Sequence, residues 1–293
     1  MKKAISESVK ALSHTPQYKM HKYFARRPYN VFSNIIDHYS EEGQTILDIF
    51  CGGGVTVFEG VKLKRNVIGV DLNPLATFIT RMQMFNGNYD ELQNNINFFI
   101  NKIVDSFSKV YDIAFDDDYG NCEWVEWTYV VNCPACGHEI ILLEDNKVKN
   151  GFYRCPNPNW KCSQGVARTK CKSNGSVPVR VKYISSIDNK EKIKVFSNKE
   201  IDVILNQEES YLKKSEDLIY PNFNFPMNWD RQKEDKLYEK GIIKYSDLFS
   251  AKNLYVLGSL FKFILEEKKK GNPYADYLYF TFSSTLRYTN KMS

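Results

Sequence analysis

Two groups of residues in the 293-residue chain have types and spacings that can do chemistry. The first is Asp48, the run Gly52-Gly53-Gly54 and Asp71, inside the stretch TILDIFCGGGVTVFEGVKLKRNVIGVDLNP. Glycines let the backbone take positive φ and let a ligand come close, and the two carboxylates can hold an ammonium group or hydroxyls beside it. The second group is Cys133, Cys136, Cys155, Cys162 and Cys171. Cys133-Pro-Ala-Cys136-Gly137 is a Cys-x2-Cys knuckle, and Cys155 follows after eighteen intervening residues. Paired thiols at that separation point to structural zinc, since four thiolates complete a tetrahedron. Cys133, Cys136 and Cys155 are three expected ligands. Cys162 and Cys171 compete to be the fourth, and Cys162 is taken as the nearer thiol.

The glycine site suits two cofactor classes. A nicotinamide fingerprint has a third small residue after its glycine pair and an acid about 20 positions on. Gly52, Gly54 and Asp71 fit that pattern, but Val57 stands at the third small position. Asp48 would repel a pyrophosphate and attract an ammonium. Charge therefore favours S-adenosylmethionine, which has an amino-acid ammonium, a sulfonium and no phosphate.

These residues also carry a family resemblance. Asp48-Ile49-Phe50-Cys51-Gly52-Gly53-Gly54 resembles the D-P-F-C-G-S-G cofactor motif of the amino-group DNA methyltransferases, which act on adenine N6 or cytosine N4. Ile68-Gly69-Val70-Asp71-Leu72-Asn73-Pro74 is similar to their second motif. His21-Lys22-Tyr23-Phe24-Ala25-Arg26-Arg27-Pro28 resembles the H-K-[YW]-[WF]-A-R-R-P segment of a subfamily with an inserted zinc ribbon. The departures are Ile49 for Pro and Gly53 for Ser. The resemblance implies an S-adenosylmethionine site formed by His21, Tyr23, Asp48, Phe50, Cys51, Gly52, Gly54, Thr56, Asp71, Leu72 and Asn73. Asp48 would hold the cofactor's ammonium, and Asp71 its ribose hydroxyls. It further implies DNA as substrate, adenine ahead of cytosine, and a restriction-modification or related role.

The elements that must position these groups are legible around them. Thr45 to Asp48 reads as a buried strand, Val55 to Leu63 as a helix with Val57, Phe58 and Val61 on its apolar side, and Val67 to Val70 as a second strand. The expected fold class is α/β: a Rossmann-like, doubly wound methyltransferase sheet, a zinc-ribbon insertion and a helical C-terminal segment. In an open sheet of that kind ligands sit beyond the carboxyl ends of the strands, where both carboxylates fall. Expected bounds are 1–19 for a loose N-terminus in which Pro16 blocks a helix, 20–121 for the cofactor core, 122–185 for the ribbon and 186–293 for a mainly helical remainder. Further helices are expected from Pro28 to about Tyr39, over Asp90 to Tyr111 and Lys199 to Lys214, over Ala251 to Lys269 and from Pro273. Asp90 to Tyr111 carries Leu92, Ile96, Phe99, Ile103 and Phe107 as a packing stripe. IYPNFNFPMNW reads as an extended connector.

Composition is that of a globular protein, with 43% hydrophobic and 26% charged residues. No apolar run approaches the roughly 18 residues of a spanning helix, and no secretory signal is read at the N-terminus, so a cytoplasmic location is expected. The net charge of +5 is unevenly spread. Residues 1–31 hold seven Lys or Arg against one acid, Glu7, and residues 147–182 hold nine and no acid. Each block alone reads as a solvated face. Beside a methyltransferase-like pocket, the two suit a phosphate backbone.

One expected feature is missing. Amino methylation needs a pocket for the flipped base, built in the resembling family by [DNS]-P-P-[YFW]. The chain contains no Pro-Pro. Asn272-Pro273-Tyr274 and Asn157-Pro158-Asn159-Trp160 are the nearest imitations, and neither is taken as catalytic. The catalytic residues are thus unassigned. The chain is expected to be the cofactor-binding N-terminal part of a longer or split enzyme, inactive by itself, with a second polypeptide supplying D-P-P-Y. The competing reading is a zinc-ribbon DNA-binding module without methyltransferase activity. An NAD-dependent oxidoreductase ranks below both.

Overall fold

The computed structural model describes residues 3–24, 26–158, 162, 165–168 and 171–291. The chain divides into two compact units, 1–100 with 263–287, and 101–262 with 288–293.

The first unit opens with α1 (Pro16–Lys19) and α2 (Tyr29–Tyr39). Pro16 does not block a helix. It is the first helical residue of α1, where its missing N–H costs nothing. The short helix buries Tyr18, so the N-terminus is tied down at that point. Then come β1 (Thr45–Asp48), α3 (Val55–Lys62), β2 (Asn66–Gly69), α4 (Pro74–Gln83) and α5 (Tyr89–Phe107). β1 and β2 are parallel, with Ile46 opposite Val67 and Asp48 opposite Gly69. The helix α3 crosses between them as a βαβ connection requires. Pairing continues past the strands, because Val70 N–H donates to Asp48 O (2.8 Å) and Cys51 N–H to Val70 O (2.9 Å).

Among the described residues this parallel sheet has two strands. The doubly wound sheet expected for 20–121 is present only as this first β-α-β unit. One face packs on α3. Gly60 lies so close to Val67 that a Cβ there would come within 2.6 Å of the valine methyl. On the other face Leu47, Ile49, Ile68 and Val70 remain between 48% and 62% exposed. The apolar side of α3 also differs from expectation. Val61 is 43% exposed, while Glu59 is 2% exposed. Glu59 turns inward because its carboxylate accepts from the buried Tyr18 hydroxyl (2.7 Å) and from Lys62 Nζ (3.2 Å).

The second unit is built on two long antiparallel strands. Its strands are β3 (Asp112–Ala114), β4 (Tyr119–Asn132), β5 (Glu139–Ile141), β6 (Lys147–Lys149), β7 (Phe152–Arg154), β8 (Gly165–Ala167), β9 (Ser173–Ser185) and β10 (Glu191–Val195). β10-β9-β4-β3 form one sheet with β5 added to β4, and β6-β7-β8 form a second. β10 lies beyond the bounds expected for the ribbon, so strand structure extends through Val195 into the segment expected to be helical. Three helices follow: α6 (Asn198–Lys214), capped by a reciprocal Ser197 and Glu200 box, α7 (Asp230–Asp235) and α8 (Ala251–Lys269). The expected connector is folded, with Phe225 buried beside Leu237 and Ile242 and its ring stacked on Trp229. α9 (Ala275–Thr285) returns to the first unit, where Leu278, Phe280 and Phe282 are buried.

Asp118 fastens β4, β9 and β10 together. Its carboxylate accepts from Lys192 Nζ (2.8 Å), Ser185 Oγ (2.7 Å), Tyr183 Oη (3.0 Å) and the Tyr119 N–H (2.8 Å). Lys192 foremost, then Ser185 and Tyr183, hold its carboxyl well below the usual carboxylate range against the opposing effect of burial. A depressed carboxyl supplies stability that is complete above the unfolded value of about 4 and is lost as pH falls from there toward the folded value. Asp118→Asn is expected to lower the denaturation midpoint at neutral pH and to flatten the acid limb of stability against pH. An acid limb as steep as that of the parent would refute this role.

Candidate cofactor site and thiol cluster

The glycine turn is held by the carboxylate at the end of the neighbouring strand. Asp71 Oδ2 accepts from the Gly52 N–H (2.8 Å), and Asp71 Oδ1 accepts from the Asn73 N–H (2.8 Å). Gly52 (φ +50°) and Gly54 (φ +81°) occupy the left-handed region that glycine tolerates. Gly54 is pinned further, since a Cβ there would meet Thr80 Oγ1 at 2.6 Å. Thr80, in α4, donates to Gly52 O (3.2 Å). Gly54 ends the turn and caps α3.

The other expected cofactor residues fall into two sets. Asp48 and Tyr23 stand at the turn. Asp48 Oδ1 accepts from the Phe50 N–H (3.0 Å), and the Tyr23 ring lies 3.2 Å from where a Gly52 Cβ would be. Cys51 is buried behind Gly69, and burial pushes its thiol upward despite a bond to Thr80, which makes it an inert wall and not a nucleophile. Asn73 caps α4 by accepting from the Leu75 N–H (3.0 Å), and Thr56 lies in the first turn of α3. Phe50 and Leu72 are 80% and 99% exposed. His21 is engaged elsewhere: its ring nitrogens meet Lys22 O (2.9 Å) and Ser283 Oγ (3.1 Å), and it stacks on Phe280 of α9.

Arg26 belongs to the His21 to Arg27 segment that the resemblance implies is a wall of the cofactor pocket, though it is not among the residues expected to hold the cofactor. It was counted with the basic N-terminal block, but its guanidinium nitrogens are buried, with no hydrogen-bond partner among the described residues. The guanidinium lies by the Tyr18 ring (6.0 Å) and against Gly53, where a Cβ would come 2.7 Å from Nε. Its membership of the aromatic-basic segment His21 to Pro28 is the sequence signal for this position.

In the second unit the thiols converge. Cys133 Sγ lies 3.4 Å from Cys162 Sγ, and Cys136 Sγ lies 3.7 Å from Cys155 Sγ. The sulfurs of Cys133, Cys155 and Cys162 are all within 4.8 Å of one another. A tetrahedral zinc with bonds of about 2.3 Å separates its sulfurs by about 3.8 Å, so the donor set fits that ion. These separations are far beyond a disulfide's, and every cysteine is a free thiol. Burial opposes ionisation of Cys133, but the N–H groups of Ala135 and Cys136 and the thiols of Cys162 and Cys136 bring it down to about 7. Asn157 Nδ2 donates to Cys136 Sγ (3.7 Å). Cys171 packs at the edge of the same cluster. Asn159 and Trp160 lie outside the described residues. The other imitation of a catalytic motif is a structural turn. Asn272 Oδ1 accepts from the Tyr274 N–H (2.9 Å), and the Tyr274 hydroxyl donates to Glu91 (2.8 Å).

A glycine turn at the carboxyl end of a parallel strand pair, clasped by the acid that ends the second strand, stands where open α/β sheets bind small molecules. Residues 3–80, which contain all of it, match the DNA methylase family model of the N6/N4 methyltransferases. The N-terminal part of the chain thus carries the pattern of that family, as its motifs indicate. Neither a curated protein nor a solved structure gives a match. Among the described residues, no helix is long and apolar enough to cross a membrane.

Asp71→Ala removes the acceptor of two backbone donors and is expected to cost about 1–3 kcal/mol in urea denaturation of the first unit. Asp71→Asn keeps one accepting oxygen and should lose less. Equal losses would show that the turn does not depend on the paired acceptance.

Proposed function

We propose that the chain is the cofactor-binding part of an S-adenosylmethionine-dependent DNA amino-methyltransferase, with adenine N6 the preferred target, in a restriction-modification or related system. The observation that carries this reading is the Asp71-clasped glycine turn within the stretch matching the family model. When bound, the cofactor supplies an electrophilic methyl group on a sulfonium. Asp48 holds the ammonium of its amino-acid end with the acceptor capacity left beyond the Phe50 N–H, and Asp71 does the same for ribose hydroxyls. Tyr23 walls the turn, with Asn73 fixing the start of α4. His21 supports this wall through Ser283 and Phe280.

Zinc is the structural ion of the ribbon, held by Cys133, Cys136, Cys155 and Cys162. A closed tetrathiolate leaves no position for a reacting water, so the ion is a scaffold. The target base is received by a segment outside these motifs. A second polypeptide bearing D-P-P-Y belongs to this reading, supported by the uncovered apolar face formed by Leu47, Ile49, Ile68 and Val70. DNA is the macromolecular partner.

A second reading has its own observation. On the outer face of β6-β7-β8, Lys149 lies over the Phe152 ring (4.5 Å), with Arg154 beyond it on the same face. That surface suits nucleic acid whether or not the glycine turn binds a cofactor.

Calorimetric titration with S-adenosylmethionine or its demethylated product separates the two. Binding, with no methyl transfer to DNA by this chain alone, is expected. A well-folded protein with salt-dependent DNA affinity and no cofactor binding would favour the second reading, and turnover by this chain alone would overturn the assignment of the base pocket elsewhere. Metal analysis is expected to find one zinc per chain, lost in Cys162→Ser and kept in Cys171→Ser. The reverse pattern would make Cys171 the fourth ligand.

A further inference from the structure

Arg26 is the most conspicuous group that the proposed chemistry has not used. A guanidinium has five N–H donors and stays charged under all ordinary conditions. Burying one without an acceptor is unfavourable, and buried charges in folded proteins are paired almost without exception. Here Nε, Nη1 and Nη2 are buried and lack a hydrogen-bond partner among the described residues. The carboxylates of the surrounding motifs are engaged with other donors. Glu59 accepts from Tyr18 and Lys62, Asp71 from Gly52 and Asn73, and Asp48 from Phe50.

The position of the guanidinium says what kind of acceptor is wanted. On one side lies the Tyr18 ring and on the other Gly53, the middle glycine of the turn. Gly53 is outside the positive-φ region, so its backbone conformation is open to any residue. What calls for glycine is space, because a Cβ would sit 2.7 Å from Nε and 3.3 Å from Nη2 of Arg26. The resembling motif has Ser at this place. Here the arginine is laid against the turn where that side chain would stand.

We propose that Arg26 receives the α-carboxylate of the cofactor's amino-acid half. The proposal rests on the reading of the glycine turn as an S-adenosylmethionine site. The planar fork of a guanidinium matches a carboxylate with two parallel N–H···O bonds. An ammonium held by Asp48 and a carboxylate held by Arg26 would together define an α-amino acid. Because the nitrogens are covered in this structure, the side chain must turn from the Tyr18 ring toward the turn to engage. The relief of an unpaired buried charge gives the carboxylate-bearing ligand a differential affinity for that arrangement.

The test compares two ligands on three proteins by calorimetry. S-adenosylmethionine is set against its decarboxylated form, which keeps the adenosine, the sulfonium and the amine. The parent protein should prefer the carboxylate-bearing ligand by about 10- to 100-fold, as charged hydrogen bonds commonly do. Arg26→Gln should bind both ligands with nearly equal affinity, at the level the parent shows for the decarboxylated one. Gly53→Ala approaches the same contact from the other side, through a position whose backbone tolerates it. It should reduce the preference while sparing the decarboxylated ligand, and it keeps the question answerable if Arg26→Gln does not fold. Undiminished preference in both variants, or a parent that binds the two ligands alike, overturns the assignment of Arg26 while leaving the cofactor site standing. A parent that binds neither ligand overturns the cofactor site and this proposal with it. If Arg26→Gln keeps the preference but weakens DNA binding and lowers its salt dependence, the anion is a phosphate and the proposal is wrong.

Discussion

The first unit depends on one carboxylate accepting two backbone donors. Asp71 joins the end of β2 to the turn that follows β1 through the Gly52 N–H, and it starts the α4 approach through the Asn73 N–H. Bonds from N–H groups to an ionised carboxylate are stronger than neutral ones, and these two fix a backbone that glycine alone would leave loose. The left-handed geometry of Gly52 and Gly54, the seating of Thr80 against Gly54 and the start of α3 all follow from that fixed turn. The same acid therefore shapes the turn and keeps its residual lone pairs beside it.

The second unit is organised around sulfur in place of carboxylate. Val131, Ile140, Leu142 and Val166 are buried around the thiols, so this small apolar core and the thiol cluster are one object. An ion held by these thiols would add its binding free energy to that of folding. Asp118 does the corresponding work at the far end of β4 and β9, where a lysine, two hydroxyls and a backbone N–H converge on one carboxylate. The long strands have a charged knot at one end and the thiol cluster at the other.

What could be read in the sequence was what depends on near neighbours along the chain. The glycine turn, the acids that end β1 and β2, the Cys133 knuckle and the bounds of α8 are encoded within a few residues of themselves. Glu59, Arg26 and Pro16 take their places for the opposite reason. A glutamate in an amphipathic helix looks solvent-facing until Tyr18, 41 residues earlier, supplies its donor. An arginine in a basic run looks like part of a charged surface until a missing side chain at Gly53 gives it room. Pro16 reads as a breaker unless the helix begins at that residue. The doubly wound sheet was inferred from a single β-α-β signal, and that signal specifies two strands.

Charge shows the same difference between pattern and partner. The acid-free block 147–182 looks uniformly cationic in sequence, yet its members have different surroundings. Arg180 pairs with Glu126 across the strands, Lys182 with Glu123 (2.7 Å) and Glu191 (2.9 Å), and Lys147 with Glu144 (2.7 Å). Every one of those acids lies outside the block, which is why the run seemed unbalanced. Lys149 and Arg168 instead lie over the aromatic rings of Phe152 and Tyr129. A cation over a ring keeps its charge while the ring shields one side, so its field is still available to a phosphate. Lys161 and Lys170 lie outside the described residues. The cations of this block that stand over rings thus belong to the short strands and the residue after β8, and the stem of β4 and β9 is closer to neutral than its sequence suggests.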